Sequence, residues 1–135
     1  MIERSNPDVG YFADEVFKAF SFTQTIKVGN TLYLSGVAPM KGDLNNMQLV
    51  GEGDMRAQLE WTLEVLKRCL AAHGATFHNL VAETVYTTSI DELLKVWDVL
   101  HRFRGQDTPT STLVEVKRLY HPQQLVEING IAVLE

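Results

Sequence analysis

The sequence predicts a single α+β domain, spanning residues 1–135, in which one mixed β-sheet carries two helices on one of its faces. A chain of 135 residues has the usual size of one domain. Hydrophobic residues make up 45% of it and charged residues 21%, so the chain can bury a sizeable core. The predicted elements follow the order ββ-α-β-α-ββ. Strands therefore occur before, between and after the helices, which favours a two-layer α+β domain.

The first two strands are predicted to form a β-hairpin. Strand-like runs at residues 21–27 and 31–35 flank Val28-Gly29-Asn30, where the Gly-Asn pair supplies the positive backbone angles of a tight turn. Residues 40–53 are loosely composed and contain several glycines. We predict that they form one long surface loop.

Two amphipathic helices follow. In residues 54–73, four leucines recur at spacings of three and four, with Asp54 as the N-cap and Gly74 as the terminating residue. The second helix is predicted to begin at Ser89-Ile90-Asp91-Glu92, which matches a capping box, and to end at Gly105.

Three further strands are predicted at residues 80–88, 111–119 and 125–134. The last is an almost continuous apolar run, which is typical of a central strand. Because both helices pack on one face of the sheet, the other face needs a cover. A second copy of the chain is the simplest cover, so the sequence predicts a homo-oligomer.

The charge pattern argues against nucleic acid as a partner. The 17 acidic and 12 basic residues give a net charge of −5, and the basic residues are scattered. No apolar run is long enough to span a membrane, and the first residues do not resemble a secretory signal, so we expect a cytoplasmic protein. The single cysteine, Cys69, excludes an intrachain disulfide and is expected to be buried.

The motifs of metal and cofactor sites are missing. The four histidines show neither the i, i+4 spacing nor the flanking carboxylates of a metal site. Gly51-Glu52-Gly53 lacks the later residues of a phosphate-binding loop. The sequence therefore predicts no metal and no cofactor.

Glu127 is the most informative position. Strand alternation puts Glu127, Asn129 and Ile131 on one face of the last strand. Such a carboxylate is either neutralised by a cation, with Arg118 or Lys117 as candidates, or used to handle a proton of water. From the residues alone, both interpretations stay open.

Three segments together resemble a known family. They are residues 29–36, residues 80–88, and residues 109–116 followed by 126–132. Their order and spacing around two helices are similar to those of the Rid (reactive intermediate deaminase) family, also called YjgF-like or L-PSP endoribonucleases. The resemblance implies a chorismate-mutase-like subunit of a homotrimer with ligand clefts between subunits. It also implies cofactor-independent hydrolysis of reactive enamines and imines.

The resemblance suggests roles for particular residues. Glu127 matches the acidic residue that orients the attacking water, and Ser35 and Gly36 match the strand end that lines the cleft. Imino-acid deaminases of the family carry an arginine two residues after a proline, where this chain has Ser111. A hydroxyl cannot replace the charge with which that arginine grips a carboxylate.

Two aromatic residues also depart from the family pattern. Phe22 stands where a tyrosine is common, and Trp97 stands where a small polar residue is frequent. The simplest interpretation of both is that they are core residues. We expect a ligand that is larger or aromatic, not a simple 2-imino acid, with substrate contacts from residues Phe22, Ser35, Gly36, Trp97, Ser111, Thr112 and Leu113. The alternatives are a trimeric binding protein without turnover and a ribonuclease, which the net charge disfavours.

Overall fold

The computed structural model describes residues 1–135 as a six-stranded sheet, a separate two-stranded hairpin and a layer of helices. The strands of the main sheet lie in the order β1-β2-β3-β8-β6-β7, and all neighbours are antiparallel except β6 and β7, which are parallel. The predicted α+β class with a mixed sheet is therefore confirmed. The strands are β1 (Ile2–Ser5), β2 (Thr25–Val28), β3 (Thr31–Val37), β4 (Met40–Asp43), β5 (Asn46–Leu49), β6 (Leu80–Thr87), β7 (Thr110–Glu115) and β8 (Val126–Val133).

The helices are α1 (Asp14–Phe20), α2 (Met55–Ala71), α3 (Ile90–Leu94) and α4 (Asp98–Arg104), with a short 3-10 turn at Phe77–Asn79 before β6. No helix combines the length and the apolar character needed to cross a membrane.

The predicted β2–β3 hairpin is confirmed, with Gly29 at a φ of +60° in its turn. Its first strand begins four residues later than predicted. Ser21 adopts a left-handed conformation that ends α1, so the chain becomes a regular strand only from Thr25.

The long predicted helix is confirmed as α2. The Asp54 side chain accepts a hydrogen bond from the Ala57 amide at 3.0 Å and so caps the first turn. The leucine stripe is buried against β3 and β8, as the spacing requires. Gly74, at a φ of +71°, follows the last turn.

The second predicted helix is divided into α3 and α4. Ser89 Oγ accepts from the Glu92 amide at 3.2 Å, as predicted, but the Glu92 carboxylate binds Lys95 and does not complete the capping box. The Val96 amide donates to Leu93, three residues back. This tighter turn breaks the α-helical hydrogen-bond ladder between the two short helices.

The prediction of a long loop over residues 40–53 is wrong. Strands β4 and β5 form a hairpin there, closed by a turn in which Asp43 Oδ1 accepts from the amides of Asn45 and Asn46 at 3.0 and 2.9 Å. The strands have four residues each, and their polar and apolar residues alternate only weakly, so their composition resembles that of a loop.

Two elements near the N-terminus were not predicted, and one strand is shorter than predicted. Strand β1 pairs with β2, and α1 buries Val16 and Phe17. Strand β7 ends at Glu115 instead of residue 119, and it is the edge strand beside β6.

The two faces of the main sheet differ in burial. Leu32, Leu34, Ile128 and Ala132 are buried on the helix side. On the opposite face the alternate residues are only partly covered, and Tyr33 is 48% exposed. This pattern agrees with a single helical layer on one face.

Candidate functional site

A cavity of about 290 Å³ lies where α1, the end of β3, the β4–β5 hairpin and the start of β8 meet. Aromatic and aliphatic side chains dominate its wall, and Glu127 is the one charged residue among them. The lining residues are Tyr11, Phe12, Val16, Phe20, Phe22, Ser35, Gly36, Ala38, Met40, Met47, Tyr120 and Glu127. An apolar cavity with a few polar groups is the usual form of a small-molecule site.

Glu127 is held in this wall by a neutral partner. Its Oε1 accepts a hydrogen bond from Gln124 Nε2 at 3.1 Å, and the same Gln124 nitrogen donates to the Val126 carbonyl at 3.0 Å. Gln124 is 1% exposed, so the chain around it holds its amide group in place. We conclude that Gln124 positions the Glu127 carboxylate without neutralising it.

The cation considered for Glu127 in the sequence analysis does not pair with it. The guanidinium group of Arg118 donates to the backbone carbonyls of Leu119 and Tyr120 at 3.3 and 3.4 Å, and Lys117 is exposed without an ion pair. No lysine or arginine of the chain forms a salt bridge with Glu127.

Gly36 lets the carboxylate approach the backbone of β3. The register of β3 against β8 shifts between Leu34 and Val37, so Gly36 lies in a strand irregularity. A Cβ added at Gly36 would overlap Glu127 Oε2 and lie 3.1 Å from Glu127 Cδ. A side chain at this position would therefore force the Glu127 carboxylate to move, whereas the φ of Gly36 itself does not demand glycine.

Ser35 lies beside Gly36 in the same wall, but its hydroxyl is already used. Ser35 Oγ donates to the Thr23 carbonyl at 2.6 Å. This bond ties the end of β3 to the segment that carries Phe22, another lining residue. Of the residues predicted for the site, Glu127, Ser35, Gly36 and Phe22 thus lie together.

Tyr11 is a lining residue that the sequence analysis missed. It is 6% exposed, and its hydroxyl accepts a hydrogen bond from the Ala38 amide at 2.9 Å. Burial raises the pKa of Tyr11 above its usual range, and the negative charge of Glu127 raises it further. Tyr11 precedes α1 in a segment without hydrophobic periodicity, so no sequence signal placed it near Glu127.

The remaining predicted site residues lie outside the cavity. Trp97 is the N-cap residue of α4 and packs partly buried against the core. Ser111, Thr112 and Leu113 lie on the edge strand β7, which is separated from β8 by β6. None of these four residues is among those that line the Glu127 cavity of one copy of the chain.

Ser111 instead belongs to a second polar cluster. Its Oγ donates to Glu83 Oε2 at 2.7 Å, and Arg104 donates from Nη2 to Glu83 Oε1. The Glu83 side chain is fully buried, and the Arg104 side chain is 9% exposed. The guanidinium group that shares Glu83 with Ser111 is therefore already neutralised by a carboxylate of the protein.

Other reactive groups of the chain are not arranged as a site. No group of three or more histidine, cysteine, aspartate or glutamate side chains is placed to hold a metal ion. Burial raises the pKa of Cys69 to about 12, so its thiol stays protonated and unreactive.

Comparison with known proteins shows the family. The profile of the Endoribonuclease L-PSP family matches residues 13–134. A RutC family protein of Pyrococcus horikoshii is 33% identical over 115 residues, 84% of this chain and 87% of the relative. A 2-iminobutanoate/2-iminopropanoate deaminase of Dermatophagoides farinae is 28% identical over 114 residues, 84% of this chain and 86% of the relative.

The solved structures agree with this result at the level of the fold. Rv2704 of Mycobacterium tuberculosis, described as a member of the YjgF/YER057c/UK114 family, has a TM-score of 0.80 over 99% of this chain and 100% of its own, at 22% identity. The family profile covers Glu127 and the Glu83 cluster and begins two residues after Tyr11. This chain belongs to the Endoribonuclease L-PSP family, the Rid or YjgF-like family that its sequence segments resemble.

Proposed function

We propose that this protein is a cofactor-independent hydrolase that deaminates an imine or enamine, with Glu127 orienting the attacking water. The observation that carries the proposal is the environment of the Glu127 carboxylate. It lines an apolar cavity, accepts a hydrogen bond from the neutral Gln124 amide and has no cation beside it. Such a carboxylate is free to accept a proton from a bound water molecule.

The proposed reaction begins when water attacks the carbon of the C=N bond. A C–O bond forms, and Glu127 takes the proton that the water loses and returns it to the nitrogen, which gives a carbinolamine. Glu127 then takes the carbinol O–H proton and passes it to the nitrogen as the C–N bond breaks, so that ammonia leaves and the carbinol oxygen becomes a carbonyl. The sum is imine plus water giving carbonyl compound plus ammonia, and an enamine enters after tautomerising to the imine. No redox cofactor or metal is needed for this balance.

We propose that the substrate is larger or more aromatic than a 2-imino acid and does not depend on a carboxylate for binding. Five aromatic residues line the cavity, and its one charged residue is negative. Arg104, which shares Glu83 with Ser111, is neutralised by that carboxylate, so this edge of the molecule attracts an anion weakly. The relative from Dermatophagoides farinae is named for 2-imino acid substrates, and we place this chain outside that substrate class.

We also propose that the chain forms a homotrimer with its ligand clefts between subunits. The partly exposed face of the main sheet, with Tyr33 on it, is available for contact with other copies. The position of residues 111–113 on an edge strand, away from the cavity, suits contacts with the ligand of a neighbouring copy. In such an assembly Trp97 and residues 111–113 act on the neighbour's cavity. Sedimentation velocity would test the trimer directly.

The activity can be tested with three freshly generated substrates. They are 2-aminoacrylate, the imine that an amino acid oxidase makes from phenylalanine, and the imine that a flavin amine oxidase makes from phenethylamine. The third has an aromatic ring and no carboxylate. Ammonia release above the spontaneous rate is measured for the wild type, Glu127→Gln and Ser111→Arg.

We expect the wild type to hydrolyse the phenethylamine-derived imine best and Glu127→Gln to lose about 10²- to 10⁴-fold in rate, the range of general base catalysis. Ser111→Arg should shift the preference towards the two substrates with a carboxylate, because a guanidinium group can bind it in a bidentate manner. Equal wild-type and Glu127→Gln rates on all three substrates would contradict the deaminase.

The second candidate is a trimeric ligand-binding protein without turnover. The observation in its favour is that Ser111 stands at the position of the family's substrate-binding arginine and donates to Glu83. This candidate predicts that Glu127→Gln changes ligand affinity while no variant releases ammonia faster than the spontaneous reaction.

A further inference from the structure

We propose that the Tyr11 hydroxyl is the hydrogen-bond donor that orients the ligand's C=N or C=O group opposite Glu127, and that the ligand is an aromatic compound carrying such a group. This inference rests on the proposed use of the cavity as a small-molecule site. It adds a second polar residue to the one carboxylate identified from the sequence.

The position of Tyr11 is fixed by its ring and by its hydroxyl oxygen. The ring packs against Phe12 and Phe17 with centroid distances of 4.2 and 6.4 Å, and the residue is 6% exposed. The hydroxyl oxygen accepts from the Ala38 amide at 2.9 Å, and Ala38 also lines the cavity. A tyrosine side chain held both at its ring and at its hydroxyl oxygen is preorganised for binding.

The hydroxyl hydrogen of Tyr11 has no acceptor in the protein. A tyrosine hydroxyl can donate one hydrogen bond and also accept. The bond with Ala38 uses the accepting capacity, and the chain contains no hydrogen bond in which Tyr11 is the donor. A buried donor without a partner is costly, so a ligand or water in the cavity would gain by accepting it.

Tyr11 is also the interior hydroxyl that remains available. The Ser35 hydroxyl donates to the Thr23 carbonyl at 2.6 Å. The Tyr120 residue is 54% exposed at the rim, where its ring meets Phe20 edge-on at 5.8 Å. Phe12, Phe20 and Phe22, the other aromatic residues of the wall, have no hydroxyl.

Glu127 and Tyr11 have complementary chemistry. The Glu127 carboxylate only accepts hydrogen bonds, whereas the Tyr11 hydroxyl, protonated because burial raises its pKa, donates one. A C=N carbon placed between them has water on the Glu127 side and its nitrogen on the Tyr11 side. As water adds, negative charge grows on the nitrogen and strengthens the bond from Tyr11. The proton taken by Glu127 finally reaches the amine nitrogen, so the reaction stays balanced.

Binding of phenylacetone, an aromatic ketone that cannot be deaminated, tests the inference independently of turnover. We expect the wild type to bind it, with the infrared C=O stretch of the bound ketone shifted to lower wavenumber by a hydrogen bond. Tyr11→Phe should weaken binding about 10-fold, as expected for one lost hydrogen bond, and remove the shift. Lys67→Gln, a change on the exposed surface of α2 and outside the cavity, is the control and should change neither.

The results separate this inference from the proposed deaminase. If no variant hydrolyses an imine but the infrared shift depends on Tyr11, the deaminase fails and the Tyr11 donor stands. If Glu127→Gln abolishes turnover while Tyr11→Phe retains full kcat/KM, the deaminase stands and the inference fails. The inference about Tyr11 is also overturned if the wild type does not bind phenylacetone or binds it with an unshifted C=O stretch. This measurement needs only the wild type and can be made even if Tyr11→Phe does not fold.

Discussion

Two carboxylates on strands of the same sheet, Glu83 on β6 and Glu127 on β8, have opposite environments. Glu83 is fully buried and is bound by the guanidinium group of Arg104 and the hydroxyl of Ser111. Glu127 is partly buried, faces a cavity, and accepts from the neutral amide of Gln124. Burial of a charge without a cation costs stability, so the environment of Glu127 is the one expected of a functional group.

This difference shows that the place of a glutamate on a strand does not fix its role. Both residues lie on central strands among apolar neighbours. Glu83 contributes to the folded state because a cation and a hydroxyl reach it from α4 and β7. Glu127 is contacted by Gly36 and by the neutral Gln124 amide, and no cation pairs with it. The following predictions test the contrast.

The largest effect on stability is expected from Arg104→Met. This change leaves the buried Glu83 charge without its cation, which costs about 3–5 kcal/mol of unfolding free energy. Urea denaturation of the wild type and the variant at equal concentration measures it. The double variant Glu83→Leu/Arg104→Met removes both charges and should recover most of the loss. A double variant as unstable as Arg104→Met would mean that packing, and not the uncompensated charge, causes the effect.

A smaller effect, on turnover, is expected from Gly36→Ala. The new Cβ must displace the Glu127 carboxylate, and a misplacement of about 1 Å in a catalytic group costs roughly 10²-fold in rate. Ammonia release from the imine substrates measures it. In the Glu127→Ala background the obstructed carboxylate is gone, so Gly36→Ala should cause little further loss. Additive losses would show that Gly36 acts on something other than Glu127.

For Glu127→Gln we expect the free energy of unfolding to stay within about 1 kcal/mol of the wild type. A glutamine oxygen can still accept from Gln124, and no cation loses a partner. The same urea titration that examines Arg104→Met provides the measurement. A loss as large as that of Arg104→Met would show that Glu127 is a structural charge like Glu83, and the contrast between the two carboxylates would fail.

The smallest effect concerns two exposed carboxylates that share a histidine. Asp107 and Glu135 accept from the two ring nitrogens of His78 at 3.1 Å each, and they raise its pKa, with Asp107 as the larger cause. Because the folded state binds the proton more tightly, the stabilisation is full below the unfolded pKa and disappears as pH rises through the raised folded value.

Urea midpoints test the His78 prediction when they are measured from below the unfolded pKa of His78 to above its raised folded pKa. His78→Asn, which cannot take up the proton, should flatten the pH dependence, and added salt should weaken it in the wild type because the cluster is exposed. A wild-type profile identical to that of His78→Asn would contradict the proposed linkage. Compared with the buried Glu83 pair, this exposed cluster is expected to contribute little to stability.

Local sequence patterns predicted α2 and the long strands of the main sheet. The leucine spacing and the Asp54 cap defined α2, the Gly29 turn defined the β2–β3 hairpin, and the apolar run ending near Val133 defined β8. These signals work because helix caps, tight turns and strand alternation depend on neighbouring residues. The β4–β5 hairpin and α1 were missed because each is short and is stabilised by contacts with distant residues.

The candidate site was predicted only in part, for a related reason. The sequence indicated Glu127, Ser35, Gly36 and Phe22, which the fold brings to one cavity. It gave no indication of Tyr11, which reaches the cavity from a segment 27 residues before its hydrogen-bond partner Ala38. Contacts across such separations depend on the packing of whole elements and leave no periodic signal in the chain.

The sequence by itself determined the α+β class, the main helix, the central strand and the presence of a glutamate on it. Only the tertiary structure decided which glutamate is neutralised. Arg104 reaches Glu83 across 21 residues, and Gln124 holds Glu127 where the cation considered from the sequence does not pair with it. The physical reason is that secondary structure follows from local backbone preferences. The balance of charge in a site depends instead on which side chains packing brings within a few ångströms of one another.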